Sequence, residues 1–233
     1  MTGGFLKNLS YIFFPRRCVL CGEVVLPDEE LCEPCAEYIQ SAALNTSAGE
    51  MACKASAVND VARVLPLAPF AYAGAVRNAL RRLKFNGELS SAPFFAERMA
   101  QSLQCAADGF DAVCFIPLHG ARQKSRGYNQ SEVLARLLAR ELGLPLRSEL
   151  LVRLRDTPSQ REFDRAGRQD NVRGAFALAD GAAADALRLL LIDDITTTGA
   201  TLRECAGVLI AAGAAEVLCA AAAATSLSQE KSK

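Results

Sequence analysis

Residues 189–202 read Leu-Leu-Leu-Ile-Asp-Asp-Ile-Thr-Thr-Thr-Gly-Ala-Thr-Leu, and this run allows few folds. An apolar stretch with no polar alternation marks a strand buried on both faces, hence a parallel sheet covered by helices. Two adjacent carboxylates, Asp193 and Asp194, close the stretch. A Thr/Gly loop follows, then a helical pattern. The loop puts hydroxyls and backbone N–H groups at a helix N-terminus, where an anion is favoured, and Gly199 lets the backbone approach that anion closely. A helix capped at Thr196 or Thr197 would account for the threonines. It would not account for paired carboxylates at the carboxyl end of a strand, where open α/β sheets take their ligands. Carboxylates accept hydrogen bonds from sugar hydroxyls, and the loop donates them to phosphate. The combination suits a ribose 5-phosphate.

The flanking pattern agrees. Residues 112–116 form a short apolar strand ending at Pro117, and 129–142 a helix with Val133, Leu134, Leu137, Leu138 and Leu142 at helical spacing, stopped by Gly143 and Pro145. Helices are also expected over 74–85 and around Phe94, Phe95, Met99 and Leu103. Residues 61–72 suggest a strand pair, 175–178, 187–192 and 217–223 further strands, and 198–212 a helix closed by Gly213. Strands alternating with helices give an α/β fold with a parallel sheet. Three parts are expected: an N-terminal module and connector over 1–60, the main domain over 61–225, and a polar, disordered tail over 226–233.

That module carries Cys18, Cys21, Cys32 and Cys35 as two Cys-x-x-Cys knuckles separated by ten residues. The spacing matches a tetrahedral zinc site of structural type. A redox function would need only one pair. The other five of nine cysteines read as buried small apolar residues. Residues 1–17 lack the pattern of a secretory signal, no window has the ~20 apolar residues of a membrane span, and the thiol-rich chain suits a reducing cytoplasm.

The formal net charge is zero, which argues against a general nucleic-acid coat. The charge is unevenly spread, however. Residues 18–60 hold eight acids and one base, Lys54, so the cysteine module should be repelled by DNA. Residues 122–173 hold twelve bases and seven acids, where an anionic substrate finds help. Within this basic half, 116–130 is expected as a strand-end loop in which Arg122, Lys124 and Arg126 face a pyrophosphate. His119, the only histidine, sits in it. The stretch 153–171 has five arginines and no apolar periodicity, as a closing lid would.

The 193–201 segment resembles the phosphoribosyl-pyrophosphate (PRPP) motif of type I phosphoribosyltransferases, with Thr196 in place of the usual aliphatic residue. The wider set resembles the ComF family of competence-associated, phosphoribosyltransferase-like proteins. It comprises the four-cysteine knuckles, Leu83-Lys84-Phe85 with Gly87, Pro117-Leu118-His119, and Arg126-Gly127-Tyr128-Asn129-Gln130. It continues with Thr157, Gln160, Arg168, Asn171, Ala175-Phe176 and Thr197-Thr198-Gly199. Departures are the missing second knuckle pair, of which Cys53 alone is left, Phe163-Asp164 in place of Leu-Ser, and Gly167 in place of Glu. The resemblance implies a type I phosphoribosyltransferase-like parallel sheet flanked by helices, with a small N-terminal zinc module. It implies transfer of phosphoribose from PRPP to a nitrogen acceptor, with Mg²⁺ between pyrophosphate and ribose hydroxyls. Asp193 and Asp194 would hold those hydroxyls. Thr197, Thr198, Gly199, Ala200 and Thr201 would hold the 5-phosphate. Pro117, Leu118, His119 and Gly120, with Arg122 and Arg126, would take the pyrophosphate. Arg168 would act from the lid, and residues 36–75 would form a hood over the unknown acceptor. The alternative is a PRPP- or nucleotide-binding module without transfer, working with a competence or DNA-processing protein.

Overall fold

The computed structural model describes residues 15–42, 67–155 and 172–225. The central sheet is parallel throughout. It contains β1 (Phe70–Ala71), β2 (Ala112–Phe115), β5 (Arg188–Thr196) and β6 (Glu216–Ala224), in the spatial order β1-β6-β5-β2. Among the described residues, a separate antiparallel pair joins β3 (Leu151–Arg153) to β4 (Phe176–Leu178). The helices are α1 (Glu33–Ala42), α2 (Gly74–Phe85), α3 (Ala92–Ala107), α4 (Gly120–Arg126), α5 (Gln130–Leu142) and α6 (Ala200–Ala211).

β5 is central because its apolar residues serve two cores at once. Leu190 and Ile192 face one core with α2, α3 and α5. Leu189 and Leu191 face the other, with Leu202, Cys205, Ala206 and Leu209 of α6. The period of two along a strand puts Asp194 in step with the first pair and Asp193 with the second. β6 is built largely of alanine, a poor strand former, yet Val217–Ala224 is buried throughout. Burial between two helical layers decides its conformation. On the larger side, Phe70 stacks on Phe94 at 5.9 Å, and Phe95 meets both rings edge-on. The helix ends follow their sequence signals: Pro93 lies in the first turn of α3, and Gly143 closes α5 in the left-handed conformation.

The parallel sheet flanked by helices agrees with the expected fold class, and four expectations change in detail. Residues 67–72 do not form a strand pair; Leu67 and β1 instead add to the edge of β6. The 175–178 strand pairs with 151–153, outside the main sheet. The 116–130 segment is not simply a loop, since it contains α4. The strand expected to stop at Ile192 continues through both aspartates to Thr196. Residues 43–66, 156–171 and the 226–233 tail lie outside the described residues, and with them Cys53, most of the expected hood, and Arg168.

The cysteine segment packs onto the main body. Cys18, Leu20, Val25 and Cys35 belong to the same core as Phe70, Val76 and Leu80, and Arg82 of α2 donates to the carbonyls of Leu20 at 2.8 Å and Val19 at 3.3 Å.

Candidate functional site

β2 and β5 are parallel neighbours, so the segments that follow them emerge at the same sheet edge. After β5, Thr197, Thr198 and Gly199 form the turn, and Ala200 and Thr201 begin α6. Gly199 has φ +73°, a conformation that disfavours a side chain. Thr198 Oγ1 accepts from the Ala200 N–H at 3.4 Å, so this hydroxyl, not that of Thr196 or Thr197, serves the first turn. After β2, Pro117, Leu118 and His119 lead into α4, which begins at Gly120 and carries Arg122 and Arg126. Nδ1 of His119 is buried and has no hydrogen-bond partner among the described residues.

The two aspartates are held differently. Asp194 is 6% exposed. Its Oδ1 accepts from the Ile195 N–H at 2.9 Å, and its Oδ2 lies 3.3 Å from Lys84 Nζ at the end of α2. Asp193 is part-buried as a residue, with its carboxyl turned into the fold. Its Oδ1 accepts from Ser131 Oγ at 3.0 Å and from the Asp194 N–H at 2.8 Å. Burial, and next the charge of Asp194, raise the Asp193 carboxyl to about 7. Lys84, the Asp194 N–H and Ser131 pull it in the opposite direction. One carboxylate is thus locked in an ion pair, and its neighbour is left readily protonated.

The segment 126–130 fastens the end of α2 beside this pair. Tyr128 Oη donates to the Leu83 carbonyl. Gln130 Nε2 donates to the Lys84 carbonyl at 3.3 Å. The Arg126 guanidinium lies 5.4 Å from the Phe85 ring centre and donates to Gln130 Oε1. Asn129, 3% exposed, caps α5 by accepting from the Ser131 N–H at 3.1 Å, and its Nδ2 reaches the Ile116 carbonyl at the end of β2. The fold therefore brings 117–131, 193–201 and 83–85 together. Lys84 and Ser131 are contacts that the sequence reading did not assign to the site. The Lys84 signal lay in the Leu83-Lys84-Phe85 motif, but nothing in the spacing linked it to Asp194.

An open groove of about 470 Å³ lies on the outer side of α5, lined by Leu89, Pro93, Tyr128, Glu132, Val133 and Arg136 among others. It shares Gly127, Tyr128 and Asn129 with the site segment, and neither aspartate lines it.

The four thiols form a second centre. The sulfurs of Cys18, Cys21, Cys32 and Cys35 all lie within 4.8 Å of one another, with Cys21 and Cys32 at 3.5 Å. Tetrahedral zinc with ~2.3 Å bonds needs sulfurs about 3.8 Å apart, so the set fits the ion. Gly22, at φ +86°, follows Cys21 and makes the tight first knuckle, where its N–H donates to the Cys18 carbonyl at 2.8 Å. Burial raises the Cys18 thiol, but backbone N–H groups of Cys32, Cys21 and Leu20 prevail and bring it to about 6. Burial pushes the Cys35 thiol well up.

Residues 9–59 match the double zinc ribbon domain. Within that span the only cysteine beyond the four-thiol set is Cys53, and there is no histidine. Competence protein F of Haemophilus influenzae is 35% identical over 108 residues, 46% of this chain and 47% of the relative. The DNA utilization protein YhgH of Salmonella typhi is 36% identical over 107 residues, 46% of each chain. Over this region the chain is similar to these competence and DNA-utilization proteins. The matched region spans about half the length of these curated relatives. Among solved structures, the chain is similar to a glutamine PRPP amidotransferase of B. subtilis, at 22% identity and a TM-score of 0.39, over 57% of this chain and 26% of that one. Among the described residues, no helix is long and apolar enough to cross a membrane.

Proposed function

We propose that this protein binds PRPP at the carboxyl edge of β5 and β2 and transfers phosphoribose to a nitrogen acceptor, in a cytoplasmic setting. The observation that carries the reading is the junction of Asp193-Asp194 with the Thr197–Thr201 turn, beside the 117–120 segment of the neighbouring strand. Carboxylates for ribose hydroxyls and a helix-terminal turn for the 5-phosphate stand one strand-end apart.

In the reaction, an acceptor nitrogen forms a bond to ribose C1 while the bond from C1 to the pyrophosphate oxygen breaks. The bonding pair leaves with pyrophosphate, and the acceptor loses a proton to solvent. Positive charge grows on the sugar and negative charge on the leaving group. Asp193 and Asp194 favour the first, and preorganised cations of the 117–126 segment, Arg122 and Arg126, favour the second. Hard carboxylate oxygens of Asp193 and Asp194 stand where Mg²⁺ brought with the substrate would find an oxygen-rich setting, and the ion would supply charge neutralisation for the leaving group. Arg168 would add a further charge over the leaving group. Zinc at Cys18, Cys21, Cys32 and Cys35 would be structural.

A second reading is favoured by the names of the relatives, which speak of competence and DNA utilization. In it the site binds PRPP or a nucleotide without transfer and acts through a DNA-processing protein partner. Pyrophosphate release from Mg²⁺ and PRPP, measured with a panel of bases and amines, separates the two. Release that depends on one acceptor and is lost in Asp193→Asn/Asp194→Asn supports transfer. Binding of PRPP with no release from any acceptor overturns transfer in favour of the binding module.

A further inference from the structure

The two aspartates are not equivalent, and the cause lies outside their strand. Asp194 has both oxygens engaged, Oδ1 by the Ile195 N–H and Oδ2 by Lys84. Asp193 has both of its partners on Oδ1, and among the described residues its Oδ2 takes no hydrogen bond. Lys84 reaches Asp194 because the last turn of α2 is pinned from below. Tyr128 and Gln130 hold the carbonyls of Leu83 and Lys84, and Arg126 covers the Phe85 ring. Three consecutive residues of the helix end are thus fixed by one segment of the neighbouring site loop, and the ammonium between them is aimed at the sheet edge. A lysine only 30% exposed along its side chain has given up much of its conformational freedom to stand there.

We propose that Lys84 is a positioning residue for the carboxylate pair: it anchors Asp194 and leaves Oδ2 of Asp193 as the oxygen that meets the hydroxyl of an incoming sugar phosphate. For the identity of that ligand the inference rests on the phosphoribose reading; the anchoring itself does not. Lys84 is the charged group that faces the pair from α2. From α5 the pair meets the neutral Ser131 hydroxyl. From α6 and β6 the Cys205 and Cys219 thiols lie within electrostatic reach of Asp193, and burial keeps them in the neutral form. Among the described residues, Lys84 is therefore the cation that sets how much negative charge the pair carries at neutral pH. Removing it leaves two adjacent carboxyls in a largely apolar setting, where one holds its proton more tightly. A protonated Asp193 would accept the sugar hydroxyl less well.

The test uses Lys84→Met, Lys84→Arg and the wild type, each checked for unchanged zinc content. In ligand-free protein labelled with ¹³C at the aspartate carboxyls, Lys84→Met should move the Asp193 titration up by about one pH unit, and Lys84→Arg should restore it. By calorimetry between pH 6 and 8, Lys84→Met should bind Mg²⁺ and PRPP about fivefold more weakly at pH 7, with the loss shrinking toward pH 8. Lys84→Arg should recover most of the affinity. A merely structural lysine would give a loss independent of pH. An Asp193 titration that ignores Lys84→Met overturns the anchoring. A wild type that does not bind PRPP overturns the phosphoribose reading, while the carboxyl titration still decides the part played by Lys84.

Discussion

Arg82 Nη2 lies 2.8 Å from the carbonyl oxygen of Leu20, and this bond ties the first cysteine knuckle to α2. Two residues further along the same helix, Lys84 meets Asp194. One helix thus touches both the thiol centre and the carboxylate pair, and Arg82 is held in place by Glu88 at 2.8 Å.

Zinc should therefore matter to the whole fold. Metal analysis should give about one equivalent per chain. Cys18→Ser should lose it, and thermal unfolding should fall by roughly 10 °C, since a loss of about 3 kcal/mol moves a chain of this size by that order. Leu20 is 0% exposed in the shared core, so loosening the knuckle exposes apolar surface in the main body. A metal-free preparation that melts at the same temperature would count decisively against a structural ion.

PRPP with Mg²⁺ should raise thermal stability by mass action. At a hundredfold excess over Kd the gain is about 2.7 kcal/mol, which a melting curve reads easily. Asp193→Asn with Asp194→Asn should abolish the shift, because the sugar contacts lose their charge assistance. Unchanged affinity of the double variant in calorimetry would place the ligand elsewhere.

Asn129→Ala should cost about 2–4 kcal/mol. It removes the cap of α5, worth about 1 kcal/mol, and strips a hydrogen bond from the buried Ile116 carbonyl, a further 1–3 kcal/mol. Asn129→Ser keeps a capping oxygen but not the donor, and should recover only the first part. Equal denaturant midpoints for Asn129→Ser and the wild type would show that the bond to Ile116 contributes nothing.

Much of this architecture was legible because it rests on local rules. Helix 74–85 announced itself through Val76, Leu80 and Leu83, and α5 through Asn129 and Gly143. The thiol centre followed from spacing alone, because four soft ligands in two knuckles have few other uses. What stayed hidden depended on contacts distant in sequence. The β3–β4 pair joins residues some 25 apart, and neither strand has enough length or alternation to declare itself. The extension of β5 past Ile192 was masked by the aspartates, which are poor strand formers and are tolerated because Lys84 and Ser131 meet them. Lys84 itself looked like any helical lysine. Its place at the site is fixed by Tyr128 and Gln130, more than forty residues away.

The unequal carboxylates give the molecule a pH signature. In the unfolded chain Asp193 should titrate near its ordinary 3.8, and in the fold near 7. Between those values the folded state holds a proton that the unfolded state has released. Stability must then fall as pH rises through this window, opposite to the trend from a salt-bridged aspartate. Asp193→Asn cannot ionise. It should match the wild type below about pH 4 and unfold several degrees higher at pH 8, with a flatter profile between. The difference between the two melting curves isolates this carboxyl from every other group, because all else is shared. A difference that stays constant from pH 5 to 8 would mean that Asp193 is ionised throughout, and that Lys84 and Ser131 outweigh burial and the charge of Asp194.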